Sequence, residues 1–238
     1  MKNIKYIGAF LIFISAISCT KDFDSINTNP NAPNSVEPSF LLRQVIYNFG
    51  ENMSYEGFVA GDLLSQHRTA LDFNLFDRHA LKSPQLGGNP WPIFFKNLRD
   101  NEIILNQSRN SVAYKVYEGP ALIMKAYMAA GLTDLFGDVP YYEAFNGVNG
   151  TVTPAYDKQE DIYTQEGGIL DNIDKGILAM ENYSGSIPLQ GDIMYNGNLQ
   201  NWIRFAKSLK IKLLVRISSK INVASELTLQ IQHQTALG

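Results

Sequence analysis

The sequence predicts an all-α fold: an array of helical pairs joined by long loops, similar to an α-solenoid. Three observations carry that expectation. Apolar residues recur at three- and four-residue spacing along most of the chain after residue 38. Few segments alternate apolar and polar residues in the manner of strands. Pro, Gly, Asn and Ser gather between the helical segments, where the chain must turn. With 238 residues, 45% hydrophobic and 18% charged, the chain can bury a substantial core and does not read as disordered. No sequence repeat is visible, so the solenoid expectation rests on the helical pattern alone.

The first helical segment follows Ser39, a candidate cap, and carries Leu41, Leu42, Val45, Ile46 and Phe49 on one face. A second helix is expected over 52–66. A long loop follows over 68–90, rich in Asp, Asn, Gly and Pro, and loops of that length tend to be functional or disordered. Trp91-Pro92 opens the next helix, with Ile93, Phe94, Leu98, Ile103, Ile104 and Leu105. Another helix lies within 111–135, kinked or restarted at Gly119-Pro120, because proline lacks the donor and clashes with the preceding turn. Leu122, Ala126, Ala129, Ala130 and Thr133 then allow close helix contact. Residues 137–158 are loop, and a helix over about 160–182 is weakened in its middle by Gly167-Gly168. Beyond a turn region at 184–198, Trp202, Phe205, Ala206, Leu209, Leu213 and Val215 share a helix with Arg204, Lys207, Lys210, Lys212 and Arg216. Trp202 is expected in the core.

The N-terminus reads as an address. Lys2 and Lys5 precede an apolar run from Tyr6 to Ile17, and the small residues Ala16 and Ser18 precede Cys19. The run is shorter than the roughly 20 residues of a membrane-spanning helix, and no second run of that length follows. Residues 1–18 are therefore expected to be a signal peptide of the lipoprotein type. Ala16-Ile17-Ser18-Cys19 resembles a bacterial lipobox, with Ala where Leu is commoner. Cys19 is the only cysteine, so it has no disulfide partner and stands where acyl chains would be attached. Residues 19–38 are expected to be a lipidated tether, and Lys21-Asp22-Phe23-Asp24 partly resembles a lipoprotein surface-export signal.

Signals of chemistry are sparse. The histidines, His67, His79 and His233, have no zinc-ligand spacing, and no metal or cofactor is expected. No nucleophile elbow, P-loop or dinucleotide fingerprint occurs. A formal charge of −3 without a basic patch argues against nucleic acid. Asp134, Asp138 and Glu143 cluster, but a helix end at Gly137 would use them structurally. Asn89 and Trp91, beside Gly87-Gly88 in the long loop, suit a sugar: rings stack on apolar sugar faces and amides bond hydroxyls. Packing at the start of the helix is the competing role for Trp91.

Three stretches together resemble the SusD/RagB family of outer-membrane nutrient-binding lipoproteins. They are FDSINTNPNAPNSVEPSFLL; LTDLFGDVPYYEAFNG with TPAYDKQEDIY; and GDIMYNGNLQNWIRFAKSLKIKLLVRIS. The resemblance implies a TPR-like helical scaffold on the outer face of the outer membrane. It implies capture of glycans or other nutrients and delivery to a SusC-like TonB-dependent transporter, without catalysis. It also places Asn89 and Trp91 in the region that forms a glycan platform in the family. Lys207 departs from the family's small amide, and the tail SELTLQIQHQTALG looks unlike the family. Family members are about twice as long, so residues 39–238 are expected to be the N-terminal helical domain, with the C-terminal half missing through truncation. The rival expectations are a lipid-anchored glycan hydrolase and a helical scaffold that binds only protein.

Overall fold

The computed structural model describes residues 36–71, 89–147 and 150–235, the last three of these in backbone only. All the packing below lies within Glu37–Gly238. Cys19, the expected signal peptide and nearly all of the expected tether lie outside the described residues, as do 72–88 of the long loop.

Helix α1 spans Pro38–Glu56 and buries Leu41, Leu42, Val45, Ile46 and Phe49. It starts one residue ahead of the expected cap Ser39. Pro38 sits in the first turn, where its missing N–H costs nothing and its fixed φ favours the helix. The expected second helix is the continuation of the first. The run passes through a π-helical turn, Gly57–Gly61, into the short α2, Asp62–Leu64. Nothing between Phe49 and Asn52 forces an end, since Gly50 faces open space. The run stops where Gln66 takes a positive φ of 59°.

Helix α3, Trp91–Asn110, packs on α1. A 3-10 turn, Val112–Tyr117, leads to α4, Glu118–Phe136, so the chain restarts at Gly119-Pro120 as the proline requires. Helix α4 is buried on every side, through Ala121, Leu122, Ile123, Met124, Ala126, Met128, Ala129 and Leu132. Such a helix belongs at the centre of a fold. Accordingly α3, α5, α6 and α7 all touch it. Its closest approach is to α6. A Cβ on Gly119 would meet Met180 and, at 2.9 Å, the Gly176 carbonyl; one on Gly176 would meet Ile123 at 2.7 Å.

The single helix expected over about 160–182 is two, α5 (Gln159–Thr164) and α6 (Ile169–Glu181). Gly167 adopts a φ of +75°, and a Cβ on Gly168 would lie 2.5 Å from the Ile162 carbonyl oxygen. The glycine pair therefore breaks the helix where only glycine fits. Helix α7, Leu199–Ile217, packs on α6, and α8, Ala224–Thr235, packs on α7. Lys210 is buried, and its ammonium pairs with Asp174 on α6 (2.7 Å) and Glu226 on α8 (2.5 Å). Among the described residues there is no strand, only an isolated antiparallel bridge between Val139 and Asp157. None of the described helices is long and apolar enough to cross a membrane.

Candidate functional site

The 132–147 stretch closes α4 and ties it to α5, α6 and α7. Gly137, at φ +74°, caps α4 by donating its N–H to the Thr133 carbonyl at 2.8 Å. Asp138 accepts from the Gln159 N–H at 2.9 Å, at the start of α5. Asp157 accepts from the backbone N–H groups of Tyr141 and Tyr142, at 2.9 and 3.0 Å. The Tyr141 hydroxyl donates to the Gly167 carbonyl at 2.8 Å and accepts from Asn172 at 2.9 Å, pinning the break between α5 and α6. Burial drives its phenol well above the ordinary tyrosine value. Asp134 accepts from the Tyr163 hydroxyl at 2.9 Å and pairs with Arg216 at 2.5 Å, linking α4, α5 and α7. Glu143 accepts from the Ala155 N–H at 3.4 Å. Each of the three clustered carboxylates thus has a protein donor, and each ties a loop or helix in place.

The 191–202 stretch is organised by Asp192. Its carboxylate accepts from the N–H groups of Met194 (2.9 Å), Tyr195 (3.2 Å) and Gly197 (2.9 Å), and from the indole of Trp202 (2.9 Å). Asn198 caps α7 by accepting from the Asn201 N–H at 3.1 Å. Trp202 is fully buried, as the sequence suggests. Lys207, the departure from the family pattern, reaches Glu181 on α6 at 3.4 Å.

Both loop candidates lie at the entrance to α3. Asn89 is exposed. Trp91 is half-buried, its ring centroid 4.7 Å from Phe95 and 5.0 Å, edge-on, from Phe136. Phe95 in turn lies 6.3 Å from Phe145. The start of α3, the end of α4 and the following loop thus meet in a cluster of four rings, with Phe136 40% exposed. Trp91 packs against the core while remaining partly exposed. Phe136 and Phe145 belong to this cluster but are not apparent from the sequence, where both stand inside a stretch that reads as scaffold. A cleft of about 580 Å³ opens beside the Asp134–Arg216 pair, also lined by Gln159, Tyr163, Ser219 and Lys220. Among the described residues, no group of three His, Cys, Asp or Glu is placed to hold a metal ion.

Residues 30–236 match the SusD-like family described as starch-binding, associating with the outer membrane. The chain belongs to the SusD-like family. The match takes in all but the last two residues of the tail, so α8 lies within the family region, contrary to the expectation that the tail departs from the family. No curated protein matches the sequence. Two solved structures share the fold. One is a SusD/RagB family protein from Bacteroides thetaiotaomicron, with 23% identity and a TM-score of 0.66 over 83% of this chain. The other is a SusD homolog from Bacteroides fragilis, with 17% identity and a TM-score of 0.61 over 83% of this chain. This SusD-like chain spans 42% and 40% of their respective lengths. The helical architecture is therefore that of the SusD-like proteins.

Proposed function

We propose that this chain is a surface lipoprotein that binds glycans and hands them to a SusC-like TonB-dependent transporter, without catalysing a reaction. Cys19 is its acylated anchor and the outer membrane its site, with the helical domain facing the exterior. Asn89 and Trp91 begin the glycan platform. The family's description as starch-binding supports the ligand class. The observation that carries the reading is the Trp91 cluster. A ring braced by Phe95 and Phe136 keeps a fixed orientation, and two residues earlier an exposed amide is available to sugar hydroxyls. The partner and the mode of delivery rest on family resemblance.

Affinity electrophoresis and calorimetry against an oligosaccharide panel test this proposal. Binding without turnover is expected. Turnover of a glycan would establish the hydrolase instead, and neither binding nor turnover would leave a protein-binding scaffold. Trp91→Ala is expected to weaken binding by about tenfold or more, the loss of one good stacking contact. Asn89→Ala is expected to weaken it less and to leave the unfolding midpoint unchanged. Unchanged affinity in Trp91→Ala would remove both residues from the site. Cys19→Ala is expected to release the protein from the membrane fraction, and retention there would refute the anchor.

A further inference from the structure

Helix α1 is amphipathic in an unusual sense: the face opposite its core is aromatic. Leu42, Val45 and Phe49 point inward. On the other side Phe40 is 67% exposed and Tyr47 55%. Seven residues separate them, close to two whole turns. The two rings therefore fall within roughly 20° of one line, about 10 Å apart along it. Tyr55, 48% exposed, flanks the line. Scattered apolar residues on a surface need no explanation, but an ordered row is the kind that marks an interaction site.

Between Phe40 and Tyr47 the surface is recessed. The recess, about 390 Å³, is lined by these two rings with Arg43, Gln44, Asn48 and Ile193. One wall comes from a different part of the chain. Gly191, at φ +78°, lies so close to α1 that a Cβ there would run into the Ser39 carbonyl. Asp192 next to it holds the turn through four hydrogen bonds. Ile193 is thereby set against the aromatic row by a braced turn.

We propose that this recess on the outer face of α1 is a second carbohydrate-binding surface, separate from Asn89 and Trp91. The inference rests on the glycan-binding function proposed above. The polar groups among the rings favour a sugar over a lipid surface or an apolar helix. Among the described residues, the guanidinium of Arg43 and the side-chain amide of Asn48 have no protein partner. Gln44 donates to Asp100 at 3.3 Å and keeps its carbonyl oxygen for another donor. An apolar occupant would bury these groups unsatisfied, which is costly for each. A sugar presents an apolar face to Phe40 and Tyr47, and its hydroxyls both donate and accept, so one ligand serves rings, amides and guanidinium together.

Calorimetric titration of the full chain with maltoheptaose, cellohexaose and xylohexaose tests this, using wild type, Phe40→Ala/Tyr47→Ala and Trp91→Ala. For any oligosaccharide that wild type binds, the double variant is expected to bind about tenfold or more weakly. Its unfolding midpoint should stay within about 2 °C of wild type, because both rings are more than half exposed. Wild-type affinity in the double variant, with weakened binding in Trp91→Ala, overturns the second surface and leaves the first standing. Absence of binding to all three sugars by wild type overturns both. If the double variant instead lost a dimer in sedimentation and kept its affinity, the face would serve a second copy of the chain and the inference would fail.

Discussion

Removing the Asp192 carboxylate should destabilise the protein by about 3 kcal/mol, an amount that follows from its partners. Asp192 is 7% exposed and accepts four hydrogen bonds. The most consequential donor is the Trp202 indole, because Trp202 has no exposed surface and water cannot readily replace the lost acceptor. An unsatisfied buried donor costs about 1–3 kcal/mol. The three backbone N–H groups belong to a turn nearer the solvent, where water recovers most of each bond, so about 0.5 kcal/mol apiece is a reasonable allowance. Asp192→Ala should therefore lower the urea midpoint by roughly 1–2 M for a slope near 2 kcal/mol/M. The slope itself should not change if the fold is kept. Trp202→Phe removes the indole donor, so Asp192→Ala in that background should cost about 1–2 kcal/mol less than in wild type. A shift below about 0.3 M for Asp192→Ala, or full additivity with Trp202→Phe, would refute the view that this carboxylate organises the turn and the start of α7.

Other consequences can be checked alongside. Gly176→Val forces branched methyls against Ile123 and the Gly119 carbonyl, where even a Cβ would stand 2.7 and 3.1 Å away. Overpacking at this closest contact of α4 and α6 should cost at least about 2 kcal/mol in chemical denaturation, and a neutral result would mean the helices part easily. Lys210→Met removes the link between α6 and α8, so limited proteolysis should cut within 224–235 faster than in wild type while the core persists. The same clip has a pH window. Hydrogen bonding from Lys210 lowers the Glu226 carboxyl below its ordinary 4.5, so its contribution is full above 4.5 and fades as pH falls through the lower folded value. Burial opposes the Lys210 charge, but its bonds to Asp174 and Glu226 outweigh that and raise it above 10.5. Its contribution is full below 10.5 and is lost as pH climbs through the higher folded value. Protease resistance of α8 should be flat between these limits and fall on both sides, and a steep change near neutrality would contradict the assignment.

The helices were legible because burial imposes its period on the sequence. Leu41, Leu42, Val45, Ile46 and Phe49 mark the inner face of α1 without any knowledge of what covers it. Helix ends were harder to place. The glycine pair at 167 and 168 reads as a weak point, and only the approach of the Ile162 carbonyl makes it a break. The run from Pro38 to Leu64 reads as two helices because a π-helical turn has no sequence signature of its own. Long-range pairs were beyond reach. Asp134 meets Arg216 across 82 positions, and Trp91 meets Phe136 across 45, and no local pattern announces either.

These differences bear on where specificity resides. In the second and third stretches that identify the family, the polar side chains are largely consumed in holding helices and turns. Asp134, Asp138, Asp157 and Asp192 all have protein donors, and so does the Tyr141 hydroxyl. A group already bonded within the fold has little left to offer a ligand. The side chains with chemistry to spare lie elsewhere: Asn89 and Trp91 at the entrance to α3, and Phe40, Arg43, Tyr47 and Asn48 along the outside of α1. The residues that reveal the family are thus those that build the scaffold. Exchanging Phe40, Tyr47 and Trp91 should therefore alter the preferred oligosaccharide without moving the unfolding midpoint as far as Asp192→Ala does.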